Sequence, residues 1–409
     1  MKILIVEEAL KTLHGHWFQY ISDIVKGGQE AGHQIEVACH KEACPEILNA
    51  FPCRPILNAT VFEKEAGRFG KFHALQRVFT HNRSLYRDLN NFFAAGNSYD
   101  LVIATTPRLD HLLAYRWLFR RHKKKGFRKL VLLFIELVGE YTLDGSQIRF
   151  SSGLLPLKGA MLCFRPLLKT GQFIFITESA GLAWRYEQFC GIKFPLVPHV
   201  VSLPPLEPFR PVSTRIAGDH LLFGSFGITR YDKGLDLFQA AIKLLKQERR
   251  CPGGRFVLQW ISDYQMPDGS WAGKDPALLK DESVQYLPAF SVSEEYYRWL
   301  ARTDIMVLPY RVNFYRDKLS RVSIDAALAG IPFIYPVGTW MESLAEKYGA
   351  GVPFEPENAA SLADALSRAA ARLPELKAKA SARQALARTA FSARTFLQTI
   401  IALPGKSFS

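Results

Sequence analysis

The chain reads as an α/β protein built from two domains, each with a parallel sheet. Short apolar runs alternate with helix-length amphipathic stretches from one end to the other, the pattern of strand–helix–strand units. Residues 204–211 hold four prolines in eight positions, which sustains neither a helix nor a central strand and marks a linker. Residues 304–342 read as strand, long loop, helix, strand. In that stretch 305–309 is an apolar run ending in Pro309, 320–329 has apolar residues at helical spacing behind a capping Ser320, and Gly330 closes the helix before the strand 331–335. The loop sits at the carboxyl end of its strand, where open α/β sheets bind ligands. It carries Arg311, Arg316, Asp317, Lys318 and Arg321, and a helix start beside cations suits a diphosphate.

A length of 409 residues predicts two or three domains, each able to bury a core. With 48% hydrophobic and 22% charged residues the balance is that of a globular protein. The best membrane-span candidate, 130–138, is short and interrupted by Glu136, so no spanning helix is expected. Residues 1–6 read as a strand, with Glu7 and Glu8 following, so a signal peptide is not expected and the location is taken as cytoplasmic. Six cysteines show neither C-x-x-C pairing nor metal-like spacing, which predicts reduced thiols and no metal. The net charge of +14 is uneven, with +9 in residues 1–205. Arg116, Arg120, Arg121, Lys123, Lys124, Lys125, Arg128 and Lys129 fall within 14 residues, a patch suited to an anionic membrane surface, to nucleic acid, or simply to solvation. No helix-turn-helix or zinc pattern supports nucleic acid.

In order, residues 2–6 form the first strand, and 18–31 a helix with Phe18, Ile21, Ile24 and Val25 on one face, ended by Gly32-His33. Residues 34–39 form the next strand, completing the opening of a Rossmann-like half. Residues 66–94 are a long helical region whose apolar stripe, Phe69 to Phe93, runs among Arg68, Lys71, Arg77, Arg83 and Arg87; core packing and a bilayer surface both fit it. Then come strand 99–104, helix 109–119, the basic cluster and strand 130–135, with Glu136 at its carboxyl end. Residues 140–170 read as an excursion on the acceptor side, followed by strand 173–177, helix 179–189 and the strand-like P-L-V-P-H-V-V. Past the linker, 221–226 is a strand, Gly227-Ile228-Thr229-Arg230-Tyr231-Asp232-Lys233-Gly234 a loop and 235–247 a helix; two cations at a helix start make a diphosphate site. Strands 256–261 and 284–287 precede S-V-S-E-E, a helix start with a capping Ser and early acids.

Asp317 and Asp325, with seven residues between them and followed by A-A-L-A-G-I-P, resemble the E-x7-E signature of retaining glycosyltransferases of the GT-B fold, family 4, with Asp at both positions and without the family's glycines between them. The loop 227–236 resembles the family's G-R-x-x-x-x-K-G-x-D. Gly227, Lys233, Gly234 and Asp236 match in place, while Ile228 stands at the Arg position and Arg230 lies two residues on. Residues 286–290 resemble the place where the main chain holds the nucleotide base, 346–366 the closing strand and helix, and the final A-F-S-A-R-T-F-L-Q-T-I-I the terminal helix that crosses back to the first domain. The resemblance implies two Rossmann-like domains facing an interdomain cleft, with residues 1–205 and helix 388–403 on the acceptor side and 210–387 binding the donor.

The implied activity is retaining transfer of a sugar from a nucleotide sugar, such as a UDP- or GDP-sugar, to a glycan or lipid-linked acceptor, in glycan biosynthesis and without a metal or other cofactor. Asp325 is placed to accept from the ribose and Asp317 from the donor sugar. Gly227, Arg230, Lys233, Ser320, Arg321 and Val322 surround the diphosphate, and Leu287 the base. In the first domain Gly15 stands in the place of the family's Gly-rich turn, with His14 and His16 beside it, and His16 and Glu136 are assigned to catalysis. The protein's partners would then be the nucleotide sugar, the acceptor and an inner-membrane surface touched through Arg116, Arg120, Arg121, Lys123, Lys124 and Lys125, with no nucleic acid. The shortened acids keep an alternative open, a catalytically inert relative that binds glycan or acts as a scaffold.

Overall fold

The computed structural model describes residues 1–13, 17–61, 71–142, 147–209 and 220–404, with 71–74 as backbone only. The chain divides into two compact units, Met1–Val200 with Phe391–Ser409, and Val201–Ala390.

The first unit begins β1 (Lys2–Val6), α1 (Trp17–Glu30), β2 (Gln34–His40), α2 (Pro45–Ala50), β3 (Cys53–Leu57), α3 (Lys71–Ala94), β4 (Tyr99–Ala104), α4 (Leu109–His122) and β5 (Phe127–Leu133). A two-stranded hairpin of β6 (Glu140–Tyr141) and β7 (Ile148–Arg149), then α5 (Leu155–Leu162) and α6 (Arg165–Leu168), fill the excursion before β8 (Phe173–Ile176) and α7 (Ala180–Cys190). The main sheet is parallel throughout, ordered β3-β2-β1-β4-β5-β8. Both faces are covered, so its strands read as continuous apolar runs. The pleat sends Leu4 and Val6 into one core and Ile3 and Ile5 into the other.

Strand β5 starts at Phe127 and ends at Leu133, earlier at both ends than the expected 130–135, which leaves Glu136 exposed in a bend three residues past it. Helix α4 runs to His122, so Arg120 and Arg121 sit in its last turn, where cations meet the negative helix end. The segment α2–β3 had no counterpart among the sequence expectations.

The second unit holds β9 (Leu221–Ser225), α8 (Leu235–Gln247), β10 (Gly254–Gln259), a hairpin of β11 (Tyr264–Gln265) and β12 (Trp271–Ala272), β13 (Val284–Leu287), α9 (Ser293–Arg302) and β14 (Ile305–Val307). It continues with α10 (Val312–Tyr315), α11 (Arg321–Ala329), β15 (Phe333–Pro336), α12 (Trp340–Tyr348), β16 (Gly351–Phe354), α13 (Ala359–Ala371) and α14 (Leu373–Ala390). Its sheet is also parallel, ordered β13-β10-β9-β14-β15-β16. In both sheets the order reverses beside the first strand, at β1/β4 and β9/β14, and such a switch point opens a crevice at the carboxyl ends. The expected serine cap of α9 is not made: Val292 is the N-cap, and Glu295 instead accepts from the Ser291 N–H at 2.9 Å.

The last helix, α15 (Ala393–Ala402), belongs to the first unit and packs on α1, where a Cβ on Gly27 would lie 2.6 Å from that of Ala393. Lys129, counted with the basic surface cluster, is buried. Its Nζ donates to the carbonyls of Ile400, Ile401 and Leu403 at 3.2, 3.4 and 3.0 Å and caps the α15 C-terminus.

Candidate active site

The crevice of the second unit is lined by the loop after β9 and the loop after β14. Gly227, at φ 117°, donates its N–H to Gln259 Oε1 at 2.7 Å, a backbone conformation that an L side chain rarely adopts. Gln259, the polar last residue of β10, also donates to the Pro288 carbonyl at 3.1 Å and so ties the loop to the end of β13. A Cβ on Gly227 would lie 3.8 Å from Val322 Cγ2, which puts the loop against the first turn of α11.

The chain then makes a turn of 3₁₀ helix at Tyr231–Lys233 and enters α8 through Gly234 at φ 63°. A Cβ on Gly234 would collide with the Pro309 carbonyl oxygen, so only glycine lets the two loops touch. Contact between the loops places Lys233 Nζ 3.9 Å from the Tyr310 ring centroid and 4.6 Å from that of Tyr315. Among the described residues no carboxylate lies within ion-pair distance of it. Burial lowers the Lys233 pKa, Asp232 opposes the fall, and the charges of Arg230 and Lys318 deepen it, to about 7. This is an ammonium held by ring faces and not neutralised by an acid.

The neighbouring cations are differently engaged. Arg230 is paired with Asp232 at 3.0 and 2.9 Å. Arg311, grouped by sequence with the loop's anion-facing charges, is buried and clamps the fold of the loop. Its Nε donates to the Tyr231 carbonyl at 2.9 Å, its guanidinium bonds Asp236 at 2.6 Å and also Glu357, and it stacks 4.0 Å from the Tyr231 ring. Tyr264, on the β11–β12 hairpin, donates to the other Asp236 oxygen at 2.8 Å.

Helix α11 begins as expected. The Ser320 hydroxyl caps it by accepting from the Ser323 N–H at 3.3 Å, and Gly330 ends it at φ 69°. Asp325 is buried one turn in, accepts from the Tyr296 hydroxyl at 2.9 Å and lies 3.9 Å from Arg321 Nε. Burial and the Asp325 charge push the Tyr296 pKa well above the ordinary range, so that phenol stays a donor. Asp317 is buried in the loop before the helix. The Leu287 carbonyl accepts from the Trp260 N–H at 2.8 Å. Sequence reasoning passed over Gln259 and Tyr296; a polar residue closing the apolar run F-V-L-Q was the one available signal.

In the first unit His14, Gly15 and His16 lie outside the described residues. Glu136 is exposed, and its carbonyl accepts from Tyr186 at 2.9 Å. The β1/β4 crevice instead collects Glu7 and Glu8, both buried and neither expected as a site residue. Glu7 accepts from the Thr105 and Thr106 hydroxyls at 2.5 and 2.9 Å, yet burial raises its pKa. Burial also pushes Glu8 up, but His111 and His81 outweigh it and hold the carboxyl at about 2. Glu8 lies 2.8 Å from His81 Nε2 and 3.1 Å from His111 Nε2, a grouping with metal-like proximity. However, His111 Nδ1 accepts the Arg108 N–H at 2.8 Å, so its Nε2 carries the proton and faces Glu8 as a donor. A metal there would have to strip that proton, so the trio reads as a hydrogen-bonded core cluster.

Residues 219–372 match the sequence profile of the family described as glycosyl transferases group 1. A comparison with curated proteins found no match. Among solved structures the chain is similar to sucrose-phosphate synthase from Thermosynechococcus elongatus, with 14% identity, 97% of each chain covered and a TM-score of 0.64. It is similar to HepE from Anabaena, solved with UDP and glucose, at 16% identity, 98% of each chain and 0.61. It is also similar to the catalytic domain of starch synthase IV from Arabidopsis thaliana, bound to ADP and acarbose, at 13%, 98% of each chain and 0.59. At such identities the likeness speaks for the fold, two parallel six-stranded sheets in the GT-B arrangement. The profile match covers the unit that holds the caged lysine and the capped helix, so residues 219–372 carry a glycosyl transferases group 1 domain within a chain of the GT-B fold.

Proposed function

We propose that the protein transfers a sugar from a nucleoside-diphosphate sugar to a glycan or lipid-linked acceptor, with retention of configuration and without a divalent ion. The observation that carries this reading is Lys233, an ammonium caged by two tyrosine rings beside a helix N-terminus. A diphosphate arriving there supplies the missing counter-charge, and the first turn of α11 offers main-chain N–H groups and a positive helix end. As the glycosidic bond breaks, charge grows on the leaving diphosphate, and Lys233 with Arg321 would stabilise it. Asp325 is assigned to the ribose, Asp317 to the donor sugar, and the end of β13 to the base. Retention follows from attack on the same face as the departing phosphate, which would take the acceptor's proton, so no acid–base carboxylate pair is assigned.

HepE is solved with UDP and starch synthase IV with ADP. A thermal-shift screen of UDP, ADP, GDP and their sugars tests the reading, because a ligand held by the native state alone raises apparent stability. One nucleotide should stand out. No shift with any of them at millimolar concentration would contradict the donor site.

A membrane-bound acceptor pool is favoured by a separate observation. Arg120, Arg121, Lys124 and Lys125 are exposed where α4 ends, and Leu75 and Phe79 are exposed on α3, which packs against α4. Basic residues beside exposed apolar ones suit peripheral attachment to an anionic leaflet on the cytoplasmic side. No helix among the described residues is long and apolar enough to cross a membrane.

A further inference from the structure

The β11–β12 hairpin follows the two-residue alternation of a pleated ladder, with Tyr264 opposite Ala272 and Gln265 opposite Trp271. Tyr264 and Ala272 pack into the core of the second unit. Trp271 therefore stands on the outward face, and at 69% exposure it is the most exposed large apolar side chain among the described residues. An indole is a ring that ordinarily fills a core or an interface. This one borders a groove of about 600 Å³ between α8 and the chain leaving the hairpin.

Gln239 of α8 builds the groove. Its amide donates to the Gly273 carbonyl at 3.0 Å, and its oxygen accepts the Asp275 N–H at 2.7 Å. Lys243 closes the same seam by pairing with Asp275 at 2.9 Å. The walls are thus fixed before any ligand arrives, which lowers the cost of binding. The lining follows α8 from Asp236 to Gln247, about three turns and 16 Å of helix.

That length suits a chain, and the lining selects its chemistry. Lys243 is paired with Asp275, and Asp236 is already engaged by Arg311 and Tyr264. No cluster of like charge is left to draw an ion. A peptide groove presents pockets for alternate side chains, whereas this wall is one flat ring beside amide, ammonium and carboxylate groups. A pyranose has the complementary surface. The C–H groups of one face lie against the electron-rich indole, and the hydroxyls at the rim reach side chains such as Gln247, which offers both a donor and an acceptor.

We propose that this groove binds an uncharged oligosaccharide lengthwise along α8, with one sugar ring stacked on Trp271. The choice of a glycan rests on the sugar-transfer reading above. Held there, an acceptor chain is tethered to the unit that carries the donor loop, which raises its effective concentration at the transfer site. The test uses the full-length protein and neutral cello-, malto-, chito- and manno-hexasaccharides as probes. Titration at millimolar concentration, followed by ligand-observed NMR, should show saturable binding of at least one of them. Trp271→Ala should weaken that binding about tenfold, as truncation of a central aromatic anchor does. Trp271→Phe, which keeps a ring face, should lose less, and Gln247→Ala should also weaken binding. Trp184→Ala, which removes an exposed indole from the first unit, should change nothing. Melting temperature and nucleoside diphosphate affinity should stay at wild-type values in Trp271→Ala. No binding of any probe, binding that survives Trp271→Ala, or an equal loss in Trp184→Ala overturns the proposal, as does preference for a sulfated oligosaccharide over its neutral parent. Hexasaccharide binding through Trp271 in a protein that binds no nucleotide and transfers no sugar overturns the transfer reading and upholds the groove. Nucleotide binding and transfer without hexasaccharide binding do the reverse.

Discussion

Lys233 shows how a side chain's surroundings set its chemistry. Its folded-state pKa of about 7 lies below the roughly 10.4 of a free lysine, so the unfolded chain binds more protons between these values. The residue therefore opposes folding below pH 7, and that opposition fades as pH rises towards 10. A bound diphosphate reverses the balance by favouring the ammonium. Calorimetric affinity for the cognate nucleoside diphosphate should thus weaken by up to about tenfold per unit as pH climbs above 7, with proton uptake on binding. Lys233→Ala should lose about 1.5–3 kcal/mol of that affinity and flatten the pH dependence. Unchanged binding in the variant would remove Lys233 from the site. Arg311 makes a contrasting case, as a cation of the same stretch used to build the loop. Arg311→Met would leave Asp236 facing Tyr264 without its cation and should cost about 3 kcal/mol, read from the denaturant midpoint. Arg311→Lys should recover only part of this, because one ammonium cannot span the Tyr231 carbonyl, Asp236 and Glu357 as the planar fork does.

Loops and helices pack here through a few tight approaches. Gly234 combines a left-handed φ with contact against Pro309, so Gly234→Ala adds both backbone strain and a collision. The variant should lose about 1–3 kcal/mol of stability, and the displaced Lys233 should weaken nucleotide affinity as well. Gly269→Ala, also at positive φ but in open space at the β11–β12 turn, makes the control: it should lose stability from strain alone and keep nucleotide affinity. If both variants bind nucleotide as the wild type does, the 227–236 loop is not the donor loop. Helix α11 owes its start to Ser320 and its end to Gly330, and both were readable as caps. The start of α9 was misread because Ser291 lies one residue too early, with Val292 taking the N-cap.

Over the full chain, the +9 excess of residues 1–205 is only in part a surface feature. Lys129 caps α15 from within the core, Arg116 bonds the Cys163 carbonyl, and Lys123 ends α4 over Phe119. Of the 116–129 cluster, what remains exposed is Arg120, Arg121, Lys124, Lys125 and Arg128. At roughly 1 kcal/mol per engaged cation, such a group suffices for reversible binding to an anionic bilayer. Co-sedimentation with vesicles should rise with phosphatidylglycerol content, fall with salt over the range where the screening length drops below about 8 Å, and drop when Arg121, Lys124 and Lys125 become Glu. A wild-type protein that stays in the supernatant with strongly anionic vesicles at low salt would point to a soluble acceptor.

Most strands of both sheets were legible as apolar runs, because parallel strands covered on both faces cannot hide their composition, whereas the half-exposed edge strand β3 had no expected counterpart. The capped helix α11 and the glycine–lysine loop were legible because helix starts and left-handed turns are local chemistry, written in adjacent residues. Local pattern could not tell which of several cations stays without an acid. Lys233, Arg230 and Arg311 look alike in sequence, and packing alone pairs Arg230 with Asp232, sinks Arg311 under Tyr231 and leaves Lys233 between two rings. The same holds for Tyr296 on Asp325 and Lys129 under α15. Each of these joins residues that are far apart in the chain, and their proximity is a property of the packed core that no window of sequence contains.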